Sequence, residues 1–75
     1  MEKSNIDMYK KLGLNIAYYR KLNGLSQSQL AEQINISRTH MSRIETADCA
    51  VSLDVIFNLC KRLNIVPSKL FDFKE

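Results

Sequence analysis

"SQSQLAEQINISRTHMSRIE", Ser26 to Glu45, is the stretch whose reading decides the fold. Leu30, Ala31 and Ile34, and then Met41 and Ile44, recur at spacings of three and four, the period of a helix and not of a strand. Ser26 with Gln29 three residues on makes a capping box: the hydroxyl accepts from the backbone of Gln29, whose side chain reaches back. Between the two apolar groups stands "INIS". Asn tolerates positive φ better than any residue except Gly, so Asn35 permits a sharp bend between Ile34 and Ser37. Ser37 then caps a second helix of the pair, predicted from about Arg38 to Thr46.

Working outward, Leu12, Ile16 and Tyr19 predict a preceding helix from about Asp7 to Leu22, ended by "NG" with Gly24 as left-handed cap. After a looser "ADCAV", Ser52 caps a fourth helix through about Leu63. Leu53, Ile56, Phe57, Cys60 and Leu63 are expected on its inner face, with Asp54 in the favourable first turn. Pro67 suits the first position of a short fifth helix, where Leu70 and Phe71 are expected to close the core and "DFKE" to form a tail. Two glycines, one proline and no sustained alternation leave little support for strands. The expected fold is all-α: a compact five-helix bundle, one domain over residues 1–75 with its core over about 7–72.

Seventy-five residues hold one core and no more. A content of 45% hydrophobic and 25% charged residues is that of a folded soluble domain. Cys49 and Cys60 form no CxxC motif and cannot make a metal site alone, and the expectation is two free thiols in a reducing cytoplasm. No apolar run reaches the roughly 18 residues that span a bilayer, and "MEKSNIDMYK" is too polar for a signal peptide, so a cytoplasmic protein without membrane contact is expected. His40 is the single histidine and has no second ligand near it in sequence, so no metal is expected. Nothing resembles a nucleophile elbow or a triad, and so short a chain has no room for a deep pocket. An enzyme, a cofactor and a small-molecule ligand are therefore not expected. Tyr18 and Tyr19 could stack on single-stranded bases, but helical spacing beside Ile16 puts at least one of them in the core.

Eleven Lys plus Arg against eight Asp plus Glu give a net charge of +3 and a pI near 9.0, which favours a polyanionic partner only weakly. The third helix is more specific. On a wheel of about 100° per residue, Met41 and Ile44 centre one side. Thr39, Ser42, Arg43 and Thr46 lie opposite, with Arg38 and His40 on the flanks and no acid on the arc. Arg38 stands at the helix amino end, where the macrodipole disfavours a cation by roughly 0.3–1 kcal/mol, so stability does not select it. An ordinary solvated face would also carry such residues. The alternative has defined chemistry: arginine matches O6 and N7 of guanine in the major groove, and threonine offers a methyl and a hydroxyl to base edges. A helix introduced by another helix and a short turn is the arrangement that enters that groove. Gln27 and Ser28, at the start of the second helix, could then donate to phosphates.

From Leu12 to Phe71 the chain resembles the phage-repressor and Cro type of helix-turn-helix, the Xre family. The likeness is carried by "I-x-x-x-R" in the first helix, "LSQSQLAEQ" in the second, "SRTHMSRIE" in the third and "SLDVIFNLCKRLNI" in the fourth. It implies a lambda-repressor-like domain that binds double-stranded DNA, as a homodimer on a short inverted repeat. The base contacts it implies are Arg38, Thr39 and Arg43. The backbone contacts it implies are Gln27 and Thr46; Ser28, Ser42 and His40 are expected beside them, with His40 on phosphate or the groove edge. Arg20 and Glu45 match an internal ion pair tying the first helix to the end of the third. By the same likeness the dimer interface lies around Arg62 to Leu70, with Phe71 and Phe73 as candidates. Two positions depart from the family: Asn35 stands where Gly is usual in the turn, and Ala47 where Gly usually follows the third helix. The "ADCAV" loop also lacks the basic residues that often grip phosphate.

The expected function is transcription regulation at a short, roughly palindromic operator with half-sites about 10 bp apart. A stand-alone domain of this kind is expected to be a restriction-modification controller, to whose proteins "SRTHMS" is similar, a phage or mobile-element repressor, or the antitoxin of a toxin pair. The alternative is a protein-interaction module, such as an antitoxin, that keeps the fold and mainly binds a protein partner. Replacing Arg43 is expected to relax the base preference at one position, and replacing Gln27 to weaken all sequences alike.

Overall fold

Helix starts and stops follow the local signals closely. The computed structural model, which describes residues 1–73, contains α1 (Ile6–Leu22), α2 (Gln27–Gln33), α3 (Arg38–Glu45), α4 (Leu53–Leu63) and α5 (Pro67–Leu70), after a 3-10 turn at Lys3–Asn5. There is no strand among the described residues. The capping box is complete: Gln29 N donates to Ser26 Oγ at 3.1 Å and Ser26 N to Gln29 Oε1 at 2.8 Å. Ser37 accepts from His40 N at 3.0 Å and Ser52 from Val55 N at 3.2 Å, so α3 and α4 start on the same device.

Four helices also end alike, on a residue in the left-handed region: Gly24 (φ 69), Asn35 (φ 61), Ala47 (φ 62) and Asn64 (φ 57). Each closes a Schellman motif. After α2, Ile36 N donates to Ala31 O at 3.0 Å and Asn35 N to Glu32 O at 3.2 Å; after α3, Asp48 N donates to Arg43 O at 2.8 Å and Ala47 N to Ile44 O at 3.3 Å. Gly24 and Asn35 adopt this conformation cheaply. Ala47 does not, since its Cβ crowds the following carbonyl at a cost of roughly 1–2 kcal/mol. The methyl is nevertheless buried, which offsets part of that cost.

The core joins Leu12 and Ile16 of α1, Leu30 and Ala31 of α2 with Ile34 after it, Met41 and Ile44 of α3, Ile56, Leu59, Cys60 and Leu63 of α4, and Leu70 of α5. Three expected core positions are corrected. Leu53 is 65% exposed and Phe57 45% exposed, while Leu59 is fully buried. The inward stripe of α4 is Ile56, Leu59, Cys60 and Leu63; Phe57, about 100° from Ile56, falls beyond its edge, and Leu53 lies off the stripe's centre in the first turn. Phe71 is 46% exposed. Phe73 packs half-buried against the core instead, although it falls in the expected tail. Asn15 produces this exchange. Its Nδ2 donates to Leu70 O at 2.8 Å and Asp72 O at 3.3 Å, drawing the chain after α5 back over α1. Lys74 and Glu75 of the same tail lie outside the described residues. Tyr19 is half-buried against the core and Tyr18 is exposed.

Candidate nucleic-acid interface

α2 and α3 pack on each other, and α1 lies against α3. Gly13 makes that last approach possible. A Cβ built there would collide with Glu45 O and lie 2.8 Å from Ile44 O, so the carboxy end of α3 rests directly on the α1 backbone. Glycine inside a helix costs about 0.5–1 kcal/mol relative to alanine, and here it allows a contact no other residue permits.

The same end of α3 carries the buried pair Arg20–Glu45, whose side chains are 10% and 5% exposed. Arg20 Nε donates to Glu45 Oε2 at 2.7 Å and Nη2 to Oε1 at 3.0 Å, while Nη1 donates to Leu25 O at 2.8 Å. Gln27 Nε2 adds a third hydrogen bond to the carboxylate, 3.0 Å to Oε1. One carboxylate is therefore held from both α1 and α2, and the guanidinium it pairs with also holds the loop between them. No buried polar side-chain atom is without a partner among the described residues. This satisfaction is what makes a buried charge pair tolerable.

Away from the core, α3 presents a different surface. Arg38, Thr39, Arg43 and Thr46 are exposed, and His40 and Ser42 are half-buried at its margins. Among the described residues neither Arg38 nor Arg43 has a hydrogen-bond or ion-pair partner, so both guanidinium groups keep all their donors for a ligand. Ser28 is exposed at the start of α2, beside the half-buried Gln27. Thr46 is less free than its exposure suggests. Its hydroxyl donates to Ser42 O at 2.9 Å and lies 3.4 Å from Asp48 Oδ2, which leaves its lone pairs and not its proton for outside contacts. Asp48 also brings a carboxylate to the end of this face.

Sequence reasoning missed the close contact at Gly13 and the hydrogen bond from Gln27 to Glu45. A glycine in the middle of "KLGLNIA", flanked by apolar residues in a helical register, was the available signal for the first. The second had none, because its partners are 18 residues apart. His40 belongs to no group of three metal-binding side chains among the described residues. No helix there is long and apolar enough to cross a membrane. Cys49 is half-buried and Cys60 buried, and burial pushes the Cys60 thiol pKa up.

Comparison with known proteins agrees with this geometry. Residues 16–71 match the family model described as helix-turn-helix. The control protein C.SmaI of Serratia marcescens is 37% identical over 65 residues, which cover 87% of this chain and 77% of that protein. Among solved structures, the restriction-modification controller protein C.AhdI from Aeromonas hydrophila matches with a TM-score of 0.80 at 33% identity, over 84% of this chain and 96% of that one. Bacillus thuringiensis PlcR, solved in complex with the peptide PapR7 and DNA, matches with a TM-score of 0.76 at 33% identity, over 85% of this chain but 22% of that one. With its two helices joined at the Asn35 turn and tied at their far ends, the chain belongs to the Xre-type helix-turn-helix family of DNA-binding transcription regulators.

Proposed function

We propose that this protein acts in the cytoplasm, without catalysis, as a homodimer on a short inverted-repeat operator, with α3 in the major groove and Arg38, Thr39 and Arg43 on base edges. The observation that carries this reading is the pair of arginines on the exposed side of α3 that have no partner among the described residues. A guanidinium paired inside the protein would have to leave its carboxylate before meeting a base; these two do not. Ser28, His40 and Ser42 flank the base-reading set as phosphate contacts. Gln27 adds the N–H that Glu45 leaves free, and Thr46 an oxygen lone pair that can accept from a bridging water.

One domain contacts few phosphates, and joining two raises affinity without new chemistry. Exposed Leu53 and Phe57 on α4, Val66 before α5 and Phe71 after it supply apolar side chains for such a pairing, adding α4 residues to the region expected from the family likeness. C.SmaI is named a control protein and C.AhdI a restriction-modification controller protein, and control of a restriction-modification system is the specific form of the proposal.

Selection of bound oligonucleotides from a random duplex pool, followed by binding at rising salt, tests it. The expected outcome is an enriched inverted repeat and a steep fall of affinity with salt, with a log–log slope of about −0.9 per neutralised phosphate. Enrichment of nothing, with a slope near zero, excludes this function.

A further inference from the structure

Gln27 is the first residue of α2 and Glu45 the last of α3. The Asn35 turn joins the near ends of these helices, and the 3.0 Å bond from Gln27 Nε2 to Glu45 Oε1 joins the far ends. At 1.5 Å per residue the arms are roughly 10 and 12 Å long, so the two links define a triangle whose third side sets the angle between the helices. The anchor at the far corner does not yield, because Arg20 grips the same carboxylate through two nitrogens and the Leu25 carbonyl through a third. We infer that Gln27 is a positioning residue for base reading: braced on the Arg20–Glu45 pair, its amide fixes the angle of α3 and so the place where Arg43 meets the bases.

The inference rests on the base-reading function proposed above and goes beyond a phosphate contact, which would act on every duplex equally. A change of about 1 Å on a 12 Å arm turns α3 by roughly 5°. That displacement grows with distance from the turn. Arg43, two residues before Glu45, therefore moves more than Arg38, which begins α3 beside the turn.

The test compares wild type, Gln27→Asn and Gln27→Met on the selected operator, on operators changed at single positions, and on random duplex. Asparagine keeps the amide but stops about 1.5 Å short, so the Glu45 bond either opens or pulls α3 inward. The expected result is a fall of about tenfold in the operator-to-random affinity ratio, a partial loss of one arginine–guanine contact. That loss should be concentrated at the base read by Arg43 and come on top of a uniform fall of about threefold on every duplex, random sequence included, from the phosphate hydrogen bond that Gln27 itself gives up. Should Gln27→Asn not fold, Gln27→Met, of similar length and with no donor, carries the same two readings. An unchanged ratio with both affinities falling together makes Gln27 a phosphate contact only and overturns the inference. A wild-type protein that prefers no duplex removes the base-reading proposal and this inference with it; equal discrimination by wild type and variant removes this inference alone.

Discussion

Arg20 meets Glu45 edge-on, two nitrogens against two oxygens at 2.7 and 3.0 Å, across 25 residues of sequence and inside the protein. Removing one member of such a pair leaves an uncompensated buried charge, which costs about 3–5 kcal/mol. A 75-residue domain has roughly 4–11 kcal/mol in all, at about 0.05–0.15 kcal/mol per residue. Arg20→Ala should therefore lower the urea midpoint steeply and leave part of the chain unfolded in buffer. Arg20→Lys should recover little of the loss, because one ammonium cannot span both carboxylate oxygens and the Leu25 carbonyl. An unaltered midpoint for Arg20→Ala would show that the pair is dispensable.

Alanine at the two glycines separates two kinds of constraint. At Gly24 a Cβ meets nothing within 4 Å, and only the positive φ opposes it, at roughly 1–2 kcal/mol. At Gly13 the helical backbone suits alanine, but the carbonyls of Ile44 and Glu45 stand in its place. Backbone cannot swing aside, so the helices must part, at the upper end of the roughly 1–3 kcal/mol typical of overpacking or beyond it. Thermal melts should place Gly13→Ala below Gly24→Ala, with each kcal/mol worth about 4–8 °C in a domain of this size. The reverse order would contradict the close crossing of α1 and α3.

Arg43 predicts the opposite profile from Arg20. It is exposed and unpartnered among the described residues, so Arg43→Ala should alter stability by less than about 0.5 kcal/mol. Its effect should appear on DNA: a loss of about 1–3 kcal/mol on the operator and a relaxed preference at one base position. Competition binding with operators varied one position at a time measures both. Equal loss on every duplex would assign Arg43 to phosphate.

Exposed apolar residues on α4 give a prediction for assembly. Phe57→Glu should shift the protein from dimer to monomer in sedimentation and weaken operator binding, because a charge placed in an apolar interface loses its hydration. Leu14→Glu makes a similar apolar-to-acid change at a 68% exposed position on α1 and serves as the control. Dissociation by both variants, or by neither, argues against an interface at Phe57.

The two cysteines should differ in reactivity. Cys49 is half-buried in the loop before α4, whereas Cys60 lies in the core with its thiol pKa pushed up by burial. A thiol reagent should modify Cys49 first and reach Cys60 only on unfolding. The sign of the pH effect follows. In the unfolded chain the thiol ionises near pH 8.5 while folded Cys60 remains protonated, so its contribution to stability is full below that pH and declines above it. Urea titrations from pH 7 to 10 should show a decline that Cys60→Ala reduces.

Much of this protein is determined within a few neighbouring residues. Ser26 with Gln29, Ser37 and Ser52 start their helices through hydrogen bonds across three positions, and Gly24 and Asn35 end theirs through bonds across three to five. Such interactions are written in adjacent letters, so element order, the turn and the polar face of α3 are legible in the sequence. Ala47 is not: it takes the left-handed position only because the bonds closing α3 and the burial of its methyl outweigh its preference. The same holds for Leu59 displacing Phe57 from the core, for Phe73 exchanging places with Phe71, for Gly13 beneath α3 and for Gln27 on Glu45. Each depends on which surface another helix presents at that point in space, and a periodic pattern defines a face only to within about one residue, or 100°. The sequence determined the helices, where they break and the arginines they carry; packing between distant segments decided how α3 is held to present them.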